Sequence, residues 1–173
     1  MATVTRPAAT EYAPYYGKYV ETIPDDVDIL DLLERQLGDT VHLLSGVNEE
    51  RAAHRYAEGK WTVKQVVGHM VDTERVFAYR TLCFARGDAG PFPSFDQDSY
   101  VATGGFDART LRDLVGEFVH VRRANVHMLR GLAPEAWARE GVASNVRFTV
   151  RAMPFILAGH ERHHVQILRE KYL

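Results

Sequence analysis

Apolar residues at three- and four-residue spacing fall into four long segments of this sequence. The segments run from about 26 to 45, 62 to 86, 107 to 131 and 149 to 173. In a helix this spacing gathers the apolar side chains into one stripe, and four stripes can meet in a common core. No segment reads convincingly as a strand. The sequence therefore predicts an all-α fold, a four-helix bundle.

Capping and helix-breaking residues indicate where the helices begin and end. Asp107 is a plausible N-cap for the third helix, while Gly87 and Gly131 end the second and third. Pro154 is awkward in the fourth, because a proline beyond the first turn removes a hydrogen bond and clashes with the preceding turn. We expect a late start or a kink there.

The connections between the helices differ in length, and we expect a single domain over residues 1–173 with long crossover loops. Each of 46–60 and 132–148 has room for a short extra helical turn. The 87–106 segment has no periodicity, which is typical either of a lid or binding segment near a site or of a crossover that wraps the bundle. The aromatic 1–25 segment is expected to pack on the bundle or on a second subunit.

Composition excludes several classes of protein. A net charge of -2 argues against nucleic acid as the main partner. The lone cysteine, Cys83, cannot form an internal disulfide or a multi-thiolate metal site and is expected to be a small core residue. No stretch reaches the roughly 20 apolar residues that a bilayer span needs, and no secretory leader is evident. We expect a soluble cytoplasmic protein without a membrane partner.

A pair of histidines gives the best indication of function. His160 and His164 are four residues apart on the apolar stripe of the fourth helix, and His69 faces inward from the second. Three such imidazoles can bind one divalent metal and leave positions open, as catalytic sites do. Core histidines that hydrogen-bond to carbonyls or carboxylates are the alternative.

Other side chains near these histidines have weaker claims to a role. His163 is displaced by about 60° from His160 around the helix and would flank the site. Asp72 and Glu161 could orient the imidazoles by accepting their second N–H. Arg80 could bind a substrate carboxylate, or it could form a buried salt bridge.

Three runs of this sequence together resemble the DinB-like superfamily of metalloenzymes. They are Gly59–Arg75, Pro93–Tyr100 and Ala158–His164, and the resemblance extends from about Ala13 to the last residue. It implies a four-helix bundle, often homodimeric. It also implies that His69, His160 and His164 bind a divalent metal such as zinc, nickel or iron.

The resemblance further implies a thiol-dependent S-transferase that adds a low-molecular-weight thiol (mycothiol, bacillithiol or glutathione) to a small-molecule electrophile in detoxification or a stress response. A hydrolase that uses metal-activated water is the second hypothesis. Its general base would be Asp72, Glu74 or Glu161, and the sequence does not choose among them. A non-catalytic, metal-stabilised dimeric bundle is the third.

Overall fold

The computed structural model describes residues 4–173. In chain order its helices are α1 (Gly17–Val20), α2 (Ile29–Ser45), α3 (Glu49–Ala52), α4 (Val63–Ala85), α5 (Gln97–Thr103), α6 (Leu111–Arg130) and α7 (Ala152–Ile167). The long helices α2, α4, α6 and α7 pack together: α6 lies against α2 and α4, and α7 lies against the same two helices. The predicted all-α four-helix bundle is confirmed.

The predicted apolar stripes form the core of this bundle. Leu33 of α2, Met70 of α4, Leu114 of α6 and Ile156 of α7 are each at most 2% exposed. Burying one such side chain contributes about 1.5–3 kcal/mol, so the four stripes together provide the main driving force for assembly.

Side-chain caps fix where the helices begin. The Asp28 carboxylate accepts hydrogen bonds from the first-turn amides of α2 at 2.9 and 3.1 Å. Asp107 was expected to cap the third helix, and this prediction was wrong. The cap of α6 is Thr110, whose hydroxyl accepts from the Asp113 N–H at 3.2 Å. Asp107 instead accepts a hydrogen bond from the Thr62 hydroxyl at 2.6 Å.

A two-stranded hairpin precedes α7, so the expectation of no strand was wrong. Its antiparallel strands are β1 (Glu140–Ala143) and β2 (Val146–Thr149). The turn residues Ser144 and Asn145 have φ of 55° and 60°, a conformation that asparagine tolerates and that suits tight hairpins. The fourth helix starts late, at Ala152, and Pro154 lies in its first turn, where an N–H has no intrahelical partner.

The 87–106 segment contains the short helix α5, which was not predicted from the sequence. Asp96 caps it by accepting from the Asp98 and Ser99 amides at 3.0 and 3.4 Å. Within α5 only Val101 is buried, so the segment lacks the apolar stripe by which a helix is recognised in a sequence. The expected extra turns in 46–60 and 132–148 are present as α3 and a 3-10 turn at Pro134–Ala138.

Residues 4–25 lie against α7 and the hairpin, and residues 1–3 of the expected N-terminal segment lie outside the described range. The carboxylate of Glu11 accepts hydrogen bonds from Thr149 Oγ1 at 2.8 Å and from Arg151 Nε at 2.6 Å. Helix α1 packs on α7 next to Gly159. None of the helices described in residues 4–173 combines the length and apolarity needed to cross a membrane.

Candidate metal centre

The start of α4 determines where His69 lies. Thr62 Oγ1 accepts a hydrogen bond from the Gln65 N–H at 3.0 Å, and Gln65 Oε1 accepts one from the Thr62 N–H at 3.0 Å. This reciprocal cap defines the first turn. The Trp61 ring, just before the cap, packs on the His69 imidazole with ring centroids 4.9 Å apart. His69 is therefore held about two turns into the helix, under an aromatic cover.

A glycine precedes both His69 and His160, and each glycine is in close contact with another part of the chain. At Gly68 the Phe106 ring occupies the space that a Cβ would need, and at Gly159 the Tyr19 backbone does. The Tyr19 ring then packs edge-on against His160, with centroids 5.6 Å apart. These contacts bring Phe106 and α1 down onto the two helices that carry the histidines.

The structure brings His69, His160 and His164 together. The distance between the Nε2 atoms of His69 and His160 is 3.0 Å, and that between the Nε2 atoms of His164 and His160 is 3.1 Å. Within residues 4–173 they form the one group of histidine, cysteine or acidic side chains close enough to share an ion. Both predicted helix faces therefore meet at one point.

The donor set fits a metal ion better than a set of hydrogen bonds. Each Nε2 offers either one N–H or one lone pair, so His160 Nε2 cannot make a full hydrogen bond to both neighbours. Two nitrogens that bind one ion at about 2.0–2.1 Å lie roughly 2.9–3.4 Å apart for bond angles of about 90–110°. The observed spacing of 3.0–3.1 Å lies within this range. No carbonyl or carboxylate among residues 4–173 hydrogen-bonds to these rings.

Burial keeps the three imidazoles neutral. His69 is 2% exposed, and its burial, assisted by nearby His163, lowers its pKa to about 4. Burial likewise lowers the pKa of His160 and of His164 well below the ordinary value, and the other histidines of the group add to the effect. At neutral pH the rings therefore carry no charge, which is the state in which imidazole binds a metal.

Glu161 and Glu74 do not lie at the histidines but in a buried ion-pair cluster around Arg122. Glu161 Oε2 accepts from Arg122 Nη1 at 2.7 Å, and Glu161 Oε1 accepts from Thr40 Oγ1 at 2.7 Å. Glu74 accepts from Arg122 at 2.9 and 3.0 Å and from Asn125 at 2.8 Å. The predicted use of Glu161 to orient an imidazole is therefore wrong, since its oxygens bond to Arg122 and Thr40 and neither bonds to an imidazole. For the same reason neither glutamate is placed to act as a general base.

Asp72 does not belong to the group that the three histidines form, and Arg80 bonds elsewhere. Asp72 is half-buried, and burial raises its pKa, although Arg75 opposes that effect. The Arg80 guanidinium donates to the Pro93 carbonyl at 2.6 Å and to Ser144 Oγ at 3.2 Å. It thereby ties the 87–106 segment to the hairpin and forms no salt bridge within the described residues. Its expected role towards a substrate carboxylate stays a prediction.

His163 flanks the site, as its angular position on the helix predicts. It is exposed, and its ring lies 5.7 Å from that of Tyr19 and 5.2 Å from that of His164, measured between centroids. Burial of part of the ring and nearby Lys18 lower its pKa. It lines a surface groove with Lys18 rather than either cavity beside the three histidines.

Two cavities adjoin the three histidines. The aromatic cavity, of about 70 Å³, is lined by Tyr15, Tyr16, Tyr19, His69, Thr73, Phe77, Phe95, Gln97, Ile156, Leu157 and His160. The polar cavity, of about 260 Å³, is lined by Tyr56, Gly59, Lys60, Trp61, Val66, Asp98, His164, Ile167 and Tyr172. Different histidines thus face different cavities.

The first turn of α5 reaches both cavities, because Gln97 lines the aromatic one and Asp98 the polar one. Asp98 is the one carboxylate that lines either cavity. Asp98 was not among the site residues predicted from the sequence, although it lies in the Pro93–Tyr100 run. The inclusion of Asp98 in that run could have indicated that it lies near the site. Thr73, which shares the inward face of α4 with His69, was likewise not recognised as a site residue.

The sequence pattern of the DinB superfamily matches residues 32–168, which is most of the chain and includes all three histidines. The chain belongs to the DinB superfamily. Comparison with solved structures agrees with the four-helix bundle fold. This DinB chain superposes on YfiT from Bacillus subtilis with a TM-score of 0.72 and 17% identity, over 97% of each chain. YfiT is described as having an unusual four-helix bundle topology. Its inferred activity is metal-dependent hydrolysis.

A curated relative of this DinB protein comes from Oceanobacillus iheyensis. It is 33% identical over 88 residues, which cover 45% of this chain and 49% of the relative. The match thus spans about half the length of that protein. Its name also gives metal-dependent hydrolysis as an inferred activity.

Proposed function

We propose that this DinB protein is a divalent-metal-dependent hydrolase that acts on a small molecule. The convergence of three neutral Nε2 atoms from His69, His160 and His164 carries the proposal. Imidazole nitrogen suits zinc, nickel and iron, and three ligands leave room for water or substrate. The inferred activities of the two relatives support hydrolysis over the S-transferase that the resemblance first implied.

The metal would supply Lewis acidity, which lowers the pKa of a bound water or thiol. The protein's own contribution to proton transfer is the Asp98 carboxylate, which lines the polar cavity together with His164. It accepts a proton from the attacking water as the water oxygen bonds to the substrate carbonyl carbon. The same carboxylate then returns the proton to the leaving group as the bond between the carbonyl carbon and the leaving group breaks.

Thiol-dependent S-transfer is the second candidate, and the presence of two cavities favours it. Lys60 and Asp98 give the polar cavity both signs of charge, which complements the charged ends of a peptide-like or amino-acid-like thiol. The aromatic cavity would then hold the electrophile. In that reaction the sulfur bonds to the electrophilic carbon, and the leaving group departs with the thiol proton.

Turnover with and without thiol separates these functions. Untagged protein would be stripped with a chelator, reloaded with zinc or nickel, and assayed on ester, amide and lactone substrates. A hydrolase loses turnover on stripping, regains it on reloading, and needs only water. Turnover that requires mycothiol, bacillithiol or glutathione would establish S-transfer instead. A loaded protein that is inactive in both assays, and that melts far lower after stripping, would be a metal-stabilised bundle.

Homodimerisation belongs to the same proposal, since the resemblance implies it. Sedimentation of the loaded and stripped protein tests it: a dimer that dissociates on stripping would link the metal to assembly rather than to chemistry.

A further inference from the structure

The hydroxyl of Thr73 is buried and has no hydrogen-bond partner among residues 4–173. The residue is 4% exposed, and its Oγ1 lies in the interior of the protein. Buried polar atoms are almost always paired, so an unpaired one calls for an explanation. Thr73 lines the aromatic cavity together with His69 and His160.

Other threonines of this protein show what the Thr73 hydroxyl could have done instead. Thr81, two turns further along α4 and 1% exposed, donates to the carbonyl of Phe77 at 2.7 Å. Thr103 in α5 donates to the carbonyl of Ser99 at 2.8 Å. A threonine in a helix can bond in this way to the carbonyl four residues earlier. Thr73 does not make this bond, so its O–H has no acceptor among residues 4–173, and the cavity that the residue lines is the place where one could bind.

The walls of the cavity restrict the chemistry of that group. No aspartate, glutamate, lysine or arginine lines it, and Tyr16, Tyr19, Phe77 and Phe95 supply aromatic faces. A charged group would be costly to bury there, whereas an uncharged group is tolerated where its polar atoms are hydrogen-bonded. The volume of about 70 Å³ suits a small group. A small, uncharged group with one hydrogen-bond acceptor therefore suits the cavity.

The spacing of His69 and Thr73 along α4 indicates where that acceptor would lie. Four residues along a helix correspond to about 6 Å on the same face, so Thr73 lies one turn beyond His69. A compact group in the cavity can therefore face the histidines with one atom while an acceptor oxygen lies within reach of the Thr73 hydroxyl.

We propose that Thr73 Oγ1 donates a hydrogen bond to the carbonyl oxygen of a small uncharged amide, ester or ketone bound in the aromatic cavity. Thr73 is thereby a residue that determines substrate specificity. That this group is the substrate rests on the proposed function. Binding of the group can be measured whether or not the protein turns it over.

The test is a ¹⁹F NMR titration with 2,2,2-trifluoroacetamide, using the full chain as purified and with its metal content determined. Thr73→Val removes the hydroxyl and keeps the shape, Thr73→Ser keeps the hydroxyl, and Thr81→Val is a matched control on the same helix. We expect saturable binding to the wild type, with Thr73→Ser and Thr81→Val within about twofold. We expect binding to Thr73→Val to be at least fivefold weaker. No saturable binding to the wild type, or equal affinity for Thr73→Val, overturns the proposal.

Thermal unfolding gives an independent readout. A hydroxyl without a partner contributes nothing to the fold, so Thr73→Val should melt at or above the wild-type temperature, whereas Thr81→Val loses a hydrogen bond and should melt lower. A clear fall in the melting temperature of Thr73→Val would show that the hydroxyl has a structural partner and would refute the proposal. If the protein proves inactive while Thr73→Val still weakens the probe, the proposed function fails and the binding site stands.

Discussion

A Cβ atom added to Gly159 would lie 2.2 Å from the carbonyl oxygen of Tyr19. Real Cβ contacts are never that short, and the atom in the way is backbone, which cannot rotate aside. Gly159 directly precedes His160. The close approach of α1 to α7 therefore depends on a residue without a side chain, next to one of the three histidines.

Gly159→Ala should therefore destabilise the protein, by about 1–3 kcal/mol, because α1 must move away from α7. Chemical denaturation measures the change. Gly38→Ala is the control, since a Cβ there meets nothing within 4 Å and the position lies inside α2. That variant should be more stable by about 0.5–1 kcal/mol, because alanine costs less backbone entropy than glycine in a helix. A Gly159→Ala protein as stable as Gly38→Ala would contradict the close packing of α1 on α7.

The N-terminal segment should detach at low pH because of Glu11. Burial tends to raise the pKa of Glu11, but hydrogen bonds from Arg151, the Ala8 N–H and Thr149 outweigh it and lower the pKa below its ordinary value. The unfolded chain therefore binds the proton more tightly than the folded one. The stabilisation by Glu11 is complete at pH values above its ordinary pKa. It is lost as the pH falls from there through the lower pKa of Glu11 in the folded protein.

Thermal unfolding between pH 7 and 3 tests this linkage. The wild type should lose more stability in acid than Glu11→Gln, whose side chain cannot titrate. Identical pH profiles for the two proteins would show that Glu11 does not hold the segment through its charge.

The long helices could be predicted from the sequence because each buries a continuous stripe of apolar residues. The hairpin could not, since each of its strands has only four residues and they alternate too briefly to be distinguished. Helix α5 was missed because only Val101 is buried in it. Asp107 was an attractive cap by residue type, but Thr110 stands directly before the first turn of α6.

The histidine cluster could be anticipated for a related reason: helical periodicity places His160 and His164 on one face and turns His69 inward. Asp98 could not be assigned in this way, because its position depends on the path of an irregular segment. Nor could the sequence show that Glu161 turns towards Arg122, which is 39 residues away along the chain. Such pairings depend on how the helices are rotated against one another.

Glu161→Gln tests whether that glutamate is structural. The substitution weakens the bonds to Arg122 and should cost about 1–3 kcal/mol. Arg122→Met, which leaves Glu74 and Glu161 buried without their cation, should cost more, about 3–5 kcal/mol. Denaturant titration ranks the two variants. Glu161→Gln should retain the metal content of the wild type. Loss of metal without loss of stability would mean that Glu161 acts on the histidines after all.

Asp98→Asn tests the proposed proton acceptor. It keeps the size of the side chain and removes its basicity, so kcat should fall by about 10²–10⁴ while metal content is unchanged. Steady-state kinetics on a substrate found in the screen would measure the effect. Asp26→Asn, an exposed aspartate far from α5 in the sequence, is the control and should behave as the wild type. Undiminished kcat in Asp98→Asn would remove Asp98 from the mechanism.

Elemental analysis of untagged protein tests the central claim most directly, through comparison of the wild type, His160→Ala/His164→Ala and the control His42→Ala, which alters an exposed histidine. The structure predicts about one transition-metal ion per chain in the wild type and the control, and none in the double variant. A wild type that takes up no zinc, nickel or iron, or a double variant that retains full occupancy, would contradict the assignment of His69, His160 and His164 as a metal centre.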